Sequence, residues 1–257
     1  MQETGCYEKI KEELSMTTPY LGEFLGVATL IIFGDGVVAA TLLKKSKAEG
    51  AGWVNIIIGW MVGVAAGVYV ATACGAPQAD INPAVTLAKL LNGVYAGSEA
   101  ILIMIAQVAG GFVGGCLTYL FYRGHWEITE DQGAKLGVFC TGPAIRNYTQ
   151  NLICEIIATI MLVFVIFAMF SKPVGGMAPG VGPFMVAVLV WGLGASLGGT
   201  TGYAMNPARD LGPRIAHAVC PIPGKGSSDW AYSWVPVVGP MVGGAIAFMM
   251  AKAFGVL

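Results

Sequence analysis

The sequence predicts an all-α membrane protein in which six transmembrane helices and two re-entrant half-helices form an inverted repeat of three plus three. Three observations lead there. Of the 257 residues, 56% are apolar and 11% charged, against roughly 45–50% and roughly 25% in a soluble domain. Six charge-poor apolar runs follow one another, at 20–43, 54–74, 100–122, 152–170, 181–197 and 234–251, each near the roughly 20 residues that cross a bilayer. The tripeptide Asn-Pro-Ala occurs twice, as Asn82-Pro83-Ala84 after the second run and as Asn206-Pro207-Ala208 after the fifth.

In chain order, residues 1–18 form a polar leader with no apolar stretch, which excludes a secretory signal peptide. Residues 19–257 form a single domain, its first repeat at about 19–123 and its second at about 150–255, joined by the polar loop 123–149. Asparagine is a favoured helix N-cap and proline a favoured first helical residue, so each Asn-Pro-Ala starts a helix. From Asn82 to Leu91 the apolar stretch extends only about 15 Å, half a bilayer core, and cannot span. Backbone of that kind is tolerated at membrane depth where it is buried in protein or lines a wet cavity.

The repeat is visible in spacing. Glu23 early in run one and Glu155 early in run four lie 132 residues apart, and Gln107-Val-Ala-Gly-Gly in run three matches Pro240-Met-Val-Gly-Gly in run six at an offset of 133. Three spans per half is an odd number, so the halves enter the membrane with opposite topology. Cationic residues do not orient the chain: with the amino terminus inside, five fall inside and seven outside, against the positive-inside tendency.

Two half-helices meeting cap to cap present the positive ends of their dipoles to one another, a barrier to cations. With each asparagine oxygen held by its own cap, the amides of Asn82 and Asn206 are expected to donate freely into the lumen. Arg209 stands in the first turn after Asn206, where the dipole disfavours a cation, while the matching position of the first motif is Val85. An arginine at that depth is expected to face a cavity, hold solute oxygens and repel cations. Glu23 and Glu155 are expected to brace the half-helix loops, with Asp210 as structural support. Asp80 is expected to brace its loop or to add a carboxylate at the pore mouth.

Other classes fall away. A net charge of −1 leaves no electrostatic footprint for nucleic acid. Six dispersed cysteines and two isolated histidines give neither a disulfide framework nor a metal site. No nucleophile with a base and no phosphate loop suggests catalysis, so the expectation is a non-enzyme without cofactors.

Taken together, the two Asn-Pro-Ala boxes, the early glutamate of each half and Ala-Gln-Val-Ala-Gly-Gly-Phe-Val-Gly at 106–114 resemble the major intrinsic protein family, the aquaporins and glycerol facilitators, over about residues 18–255. Asp210 directly after Arg209 and the stretches 206–214 and 234–240 look like the aquaglyceroporin branch, as in Gram-positive bacterial glycerol facilitators. The resemblance implies an aquaporin-like channel in the cell membrane, with both termini cytoplasmic, loop 123–149 extracellular, a homotetramer with one pore per subunit, and passive passage of glycerol, water and similar small neutral solutes. Undissociated short acids such as lactic acid, or small diols, are the alternative cargo, and a coupled carrier is the rival class. Carried over residue by residue, the family's selectivity filter falls on Trp60, Gly194, Tyr203 and Arg209, with Gly194 leaving one side of the filter empty. The chain departs from the family pattern at Asp80, where a histidine is usual, at Tyr203, where phenylalanine is more common, and in two extra residues within Ala76-Pro77-Gln78.

Overall fold

The computed structural model describes the backbone from Gln2 to Leu257 and the side chains from residue 19 onward. The polar leader expected at 1–18, Cys6 included, therefore lies outside the described side chains. Among the described residues there is no β-strand. In the same residues ten α-helices run in the order α1 (Gln2–Leu42), α2 (Gly52–Ala73), α3 (Pro83–Leu91), α4 (Gly97–Phe121), α5 (Arg123–Trp126), α6 (Gln132–Phe139), α7 (Tyr148–Met169), α8 (Val181–Leu197), α9 (Pro207–Val219) and α10 (Val235–Ala253).

Five of these carry apolar segments of 19 to 25 residues, long enough to cross a membrane. The sixth, α8, has 17 residues, about 26 Å at 1.5 Å per residue. All six match the apolar runs to within a few residues. The short helices α3 and α9 begin at the two prolines, with Asn82 and Asn206 as their N-caps.

The halves interlock through exchanged partners. Helix α1 packs on α2 and α4, and α7 on α10, while α4 packs on α9 and α10 on α3. Each repeat's third spanning helix thus holds the other repeat's half-helix. The paired glycines explain how these helices come so close. A Cβ on Gly110 would stand 2.2 Å from the Phe24 carbonyl and one on Gly243 2.7 Å from that of Ile156; a Cβ on Gly111 would stand 2.5 Å from the Ala208 carbonyl and one on Gly244 2.5 Å from that of Ala84. Small residues let membrane helices approach to backbone contact, where packing rather than water exclusion drives association.

Loop 123–149 is not the plain polar connection the sequence suggests, for it contains α5 and α6. Its few apolar residues fold inward. Trp126 and Phe139, neither with any exposed surface, stack on one another, and Phe139 meets the His217 ring of α9 edge on. The Trp126 indole N–H donates to the Tyr119 carbonyl at 2.9 Å. The segment is a lid packed over the end of α9. Two apolar anchors among charged residues give no helical period over so short a stretch, so composition alone hides it.

Candidate solute pathway

A cavity of about 1000 Å³ runs along the axis between the halves, lined at one end by Tyr69, Gln78 and Lys172 and reaching Trp60, Tyr203 and Arg209, with Asn82 and Asn206 between. Asn82, with extended backbone (φ −160°), caps α3 by accepting from the Ala84 N–H at 2.9 Å. Asn206 (φ −152°) caps α9 by accepting from Ala208 at 3.0 Å and Arg209 at 3.2 Å. The amides are not both wholly free. Asn82 Nδ2 donates to the Met205 carbonyl and Asn206 Nδ2 to the Ile81 carbonyl, each at 2.8 Å. A carboxamide nitrogen has two hydrogens, so one ties the caps together across the repeat and one is left for the lumen. The cross-tie arises because the residue before each cap turns its carbonyl toward the opposite half.

That turn is strained. Ala79 and Ile81 before the first cap, and Tyr203 and Met205 before the second, all have positive φ, between 40° and 47°. For non-glycine residues this conformation costs about 1–3 kcal/mol each and survives where the surroundings over-determine it. The two glutamates supply that constraint. Glu23 accepts from the Asp80 and Ile81 N–H groups at 2.7 Å and from Gln107 Nε2 at 2.9 Å. Glu155 accepts from Ala204 at 3.0 Å, Met205 at 2.9 Å and the Thr201 hydroxyl at 2.6 Å. Both glutamates are 1% exposed, so no water substitutes for these donors.

Asp80 does not point free into the pore mouth. Its carboxylate, fully buried, pairs with Lys89 at 2.5 Å and accepts from the Thr86 hydroxyl at 2.9 Å and the Tyr95 hydroxyl at 2.8 Å. Lys89 also donates to the Gln78 carbonyl at 3.0 Å, so the inserted residues are tied to the first half-helix. In the second half Asp210 accepts from Arg214 (Nε at 2.8 Å, Nη2 at 3.1 Å) and from the Thr141 N–H and hydroxyl, each at 2.8 Å.

At the far end of the cavity the Arg209 guanidinium lies over the Trp60 ring, 3.9 Å from its centroid, a cation–π contact. The Trp60 ring is seated against Gly34, where a Cβ would stand 2.3 Å from it. The Tyr203 hydroxyl is buried without a protein partner, and its ring meets Trp53 edge on with centroids 5.8 Å apart. The space beside Gly194 is not empty. A Cβ there would stand 2.8 Å from the Tyr203 ring and 2.9 Å from Ile57, so the absent side chain makes room for tyrosine instead of for solute. The Gly194 carbonyl accepts from the Trp53 indole at 3.0 Å. Sequence reasoning passed over Trp53, and also Asp35, a buried acid in α1; an acid among the apolar residues of span one was the available signal for Asp35, and Trp53 had none.

The sequence profile described as Major intrinsic protein matches residues 11–250. The chain belongs to the major intrinsic protein family. It is 54% identical over 230 residues, 90% of this chain and 94% of the relative, to glycerol uptake facilitator protein 3 of Lactiplantibacillus plantarum. It is 50% identical over 227 residues, 88% and 95% of the two chains, to a probable glycerol uptake facilitator protein of Thermotoga maritima. Among solved structures it resembles the aquaglyceroporin from Plasmodium falciparum, with a TM-score of 0.80 and 26% identity over 92% of this chain and 95% of the other. As a member of the major intrinsic protein family, the chain is a membrane channel protein rather than an enzyme, and its fold is aquaporin-like.

Proposed function

We propose that this family member passes glycerol and similar small neutral solutes, and water, down their gradients, with Trp60, Gly194, Tyr203 and Arg209 forming the narrow filter and the Asn82 and Asn206 caps forming a second contact point. The observation that carries the reading is the juxtaposition, in one cavity, of an aromatic face, a guanidinium and a tyrosine hydroxyl lacking a protein partner. A linear polyol carries carbon along one edge and hydroxyls along the other, and that wall offers a surface to each. Glycerol uptake facilitators at 54% and 50% identity support the choice of solute. Cations meet Arg209 and two helix N-termini in turn. A carboxylate pays a desolvation cost that one arginine does not fully offset, so acids travel neutral.

In the same proposal the chain lies in the cell membrane with both termini in the cytoplasm, loop 123–149 faces outward, and four copies assemble with one pore each. Half-exposed apolar side chains along the spans, such as Ile101, Ile105 and Ile157, supply surface for lipid or for neighbouring subunits.

Stopped-flow light scattering on proteoliposomes tests the solute. Glycerol flux should exceed that of empty vesicles with a low activation energy and no response to proton or sodium gradients; coupling to either would establish a carrier instead. Gly194→His should reduce glycerol flux at least tenfold and water flux far less, because the imidazole must displace the Tyr203 ring into the path. Equal loss of both fluxes would remove the filter assignment.

A further inference from the structure

The Trp53 indole touches two members of the proposed filter without lining the cavity itself. Trp53 is the second residue of α2, and a tryptophan at the end of a span ordinarily anchors it at the membrane surface with its N–H turned to water or headgroups. Here the N–H is spent inside the protein, on the Gly194 carbonyl at 3.0 Å. The ring, 40% exposed, meets Tyr203 edge on, with centroids 5.8 Å apart and planes at 75°. Ile57 and Trp60 follow Trp53 at the four- and seven-residue spacing of one helix face, so a single stripe of α2 carries all three side chains.

Two observations leave the place of the Tyr203 ring to packing. Its hydroxyl has no protein partner, so no hydrogen bond fixes the phenol. Glu155 grips the N–H groups of Ala204 and Met205, which fixes the backbone after Tyr203 and not its side chain. The packing comes from α8 and from Trp53. A Cβ on Gly194 would stand 2.8 Å from the tyrosine ring, and a Cβ on Gly198, one helical turn on, would stand 2.8 Å from it as well. The same two glycines seat Trp53, through its hydrogen bond to the Gly194 carbonyl and through its Cζ2 atom, 2.7 Å from where a Gly198 Cβ would stand. Two rings thus share one glycine pair, and only Tyr203 reaches the cavity.

We propose that Trp53 is a positioning residue of the constriction, acting through Tyr203: it holds the phenol ring toward the passage and so sets the girth of the neutral solute that fits, a linear polyol but not a ring sugar. An apolar ring beside an unfilled space gains contacts by moving into it. With Trp53 cut back, Tyr203 should withdraw from the passage and widen it. The inference rests on the reading of Trp60, Gly194, Tyr203 and Arg209 as the filter, and a Tyr203 variant tests that reading separately.

Stopped-flow light scattering on proteoliposomes, normalised to channel content, compares D-ribose and glycerol flux for the parent, Trp53→Ala, Tyr203→Ala and the double variant. The ribose-to-glycerol ratio should rise several-fold in each single variant. The double variant should match Tyr203→Ala, since Trp53 has no second route to the passage. A tryptophan that only anchors its helix would lower both fluxes in proportion, and a ratio in Trp53→Ala that stays level or falls overturns the proposal. A double variant whose rise is the product of the two single rises overturns it too, because Trp53 then acts without Tyr203. Trp53→Phe keeps a ring at the site without the indole N–H, so its ratio should move in the same direction by less. Where Trp53→Ala is not recovered folded, the phenylalanine variant decides, and an unchanged ratio counts against the proposal. A Tyr203→Ala channel with the ratio of the parent would instead reject the filter reading.

Discussion

The loop that starts the first half-helix, residues 79–86, and the loop that starts the second, 203–210, have nearly the same backbone and different chemistry. In both, the first and third residues before the cap are left-handed, a buried glutamate of the same repeat accepts from the N–H groups of the first and second residues before the cap, and the cap amide reaches across to the opposite half. What differs is where charge is placed. The first loop carries Asp80 two residues before its cap and seals it with Lys89, Thr86 and Tyr95. The second carries Arg209 and Asp210 after its cap, one aimed at the cavity and the other locked to Arg214. The duplicated backbone builds the passage, and the unduplicated side chains decide what uses it.

The largest expected effect tests whether the second loop depends on its own charge network. Arg214 and Asp210 have no exposed surface, and all five guanidinium donors are placed, on Asp210, Ser228, Asp229 and Thr141. Arg214→Met should cost about 3–5 kcal/mol, the usual penalty for stranding one member of a buried ion pair, read as a large fall in melting temperature and in membrane yield. Near-parent stability would mean that Asp210 is neutral or finds other donors, and the difference between the two loops would then be Arg209 alone.

A smaller effect tests what the loops share. Replacing Glu23 or Glu155 with Gln exchanges one acceptor oxygen for a donor facing an N–H group, so each variant should lose about 2 kcal/mol, the size of one hydrogen bond to a charged group. The two losses should agree, because each glutamate holds two backbone donors and one side-chain donor. Thermal melts of both variants measure this. A large loss at one glutamate and none at the other would end the idea that the halves are braced alike, and unchanged stability with a new pH dependence of flux would favour a proton-coupled carrier.

The sequence made the shared half of this comparison readable and left much of the other half hidden, for physical reasons. Spans, half-helices and the repeat follow from hydropathy, cap chemistry and spacing, which are local signals. The glycine pairs were visible as a pattern, and their contacts explain the pattern by backbone approach across the repeat. The positive φ values were not readable, since Ile81, Tyr203 and Met205 are poor candidates for left-handed backbone and adopt it only because distant carboxylates hold them there. At Gly194 the missing side chain predicts empty space, and the Tyr203 ring occupies it instead. The lid in loop 123–149 and the contacts of the Trp53 ring depend on tertiary partners far along the chain, and no local periodicity reports them.

The smallest expected effect concerns the first loop's seal. Lys89 pairs with Asp80, but its side chain is 17% exposed and Asp80 keeps two hydroxyl donors when the lysine is removed. Partial solvation of the lysine and the remaining hydrogen bonds both reduce the cost of stranding the carboxylate, so Lys89→Met should lose only about 1 kcal/mol, well below the roughly 3–5 kcal/mol for breaking a wholly buried pair. Its functional trace should be sharper than its structural one. With the ammonium gone, Asp80 presents an unopposed negative charge beside the cavity end lined by Gln78, so small cations should accumulate at that mouth while Arg209 still stops them farther in. Glycerol flux should stay within about twofold of the parent, a barrier change below 0.5 kcal/mol on the scale where tenfold is about 1.4 kcal/mol, and the vesicles should remain proton-tight. A proton leak in Lys89→Met would place part of the cation barrier in the first loop and erase the division of labour drawn between the two.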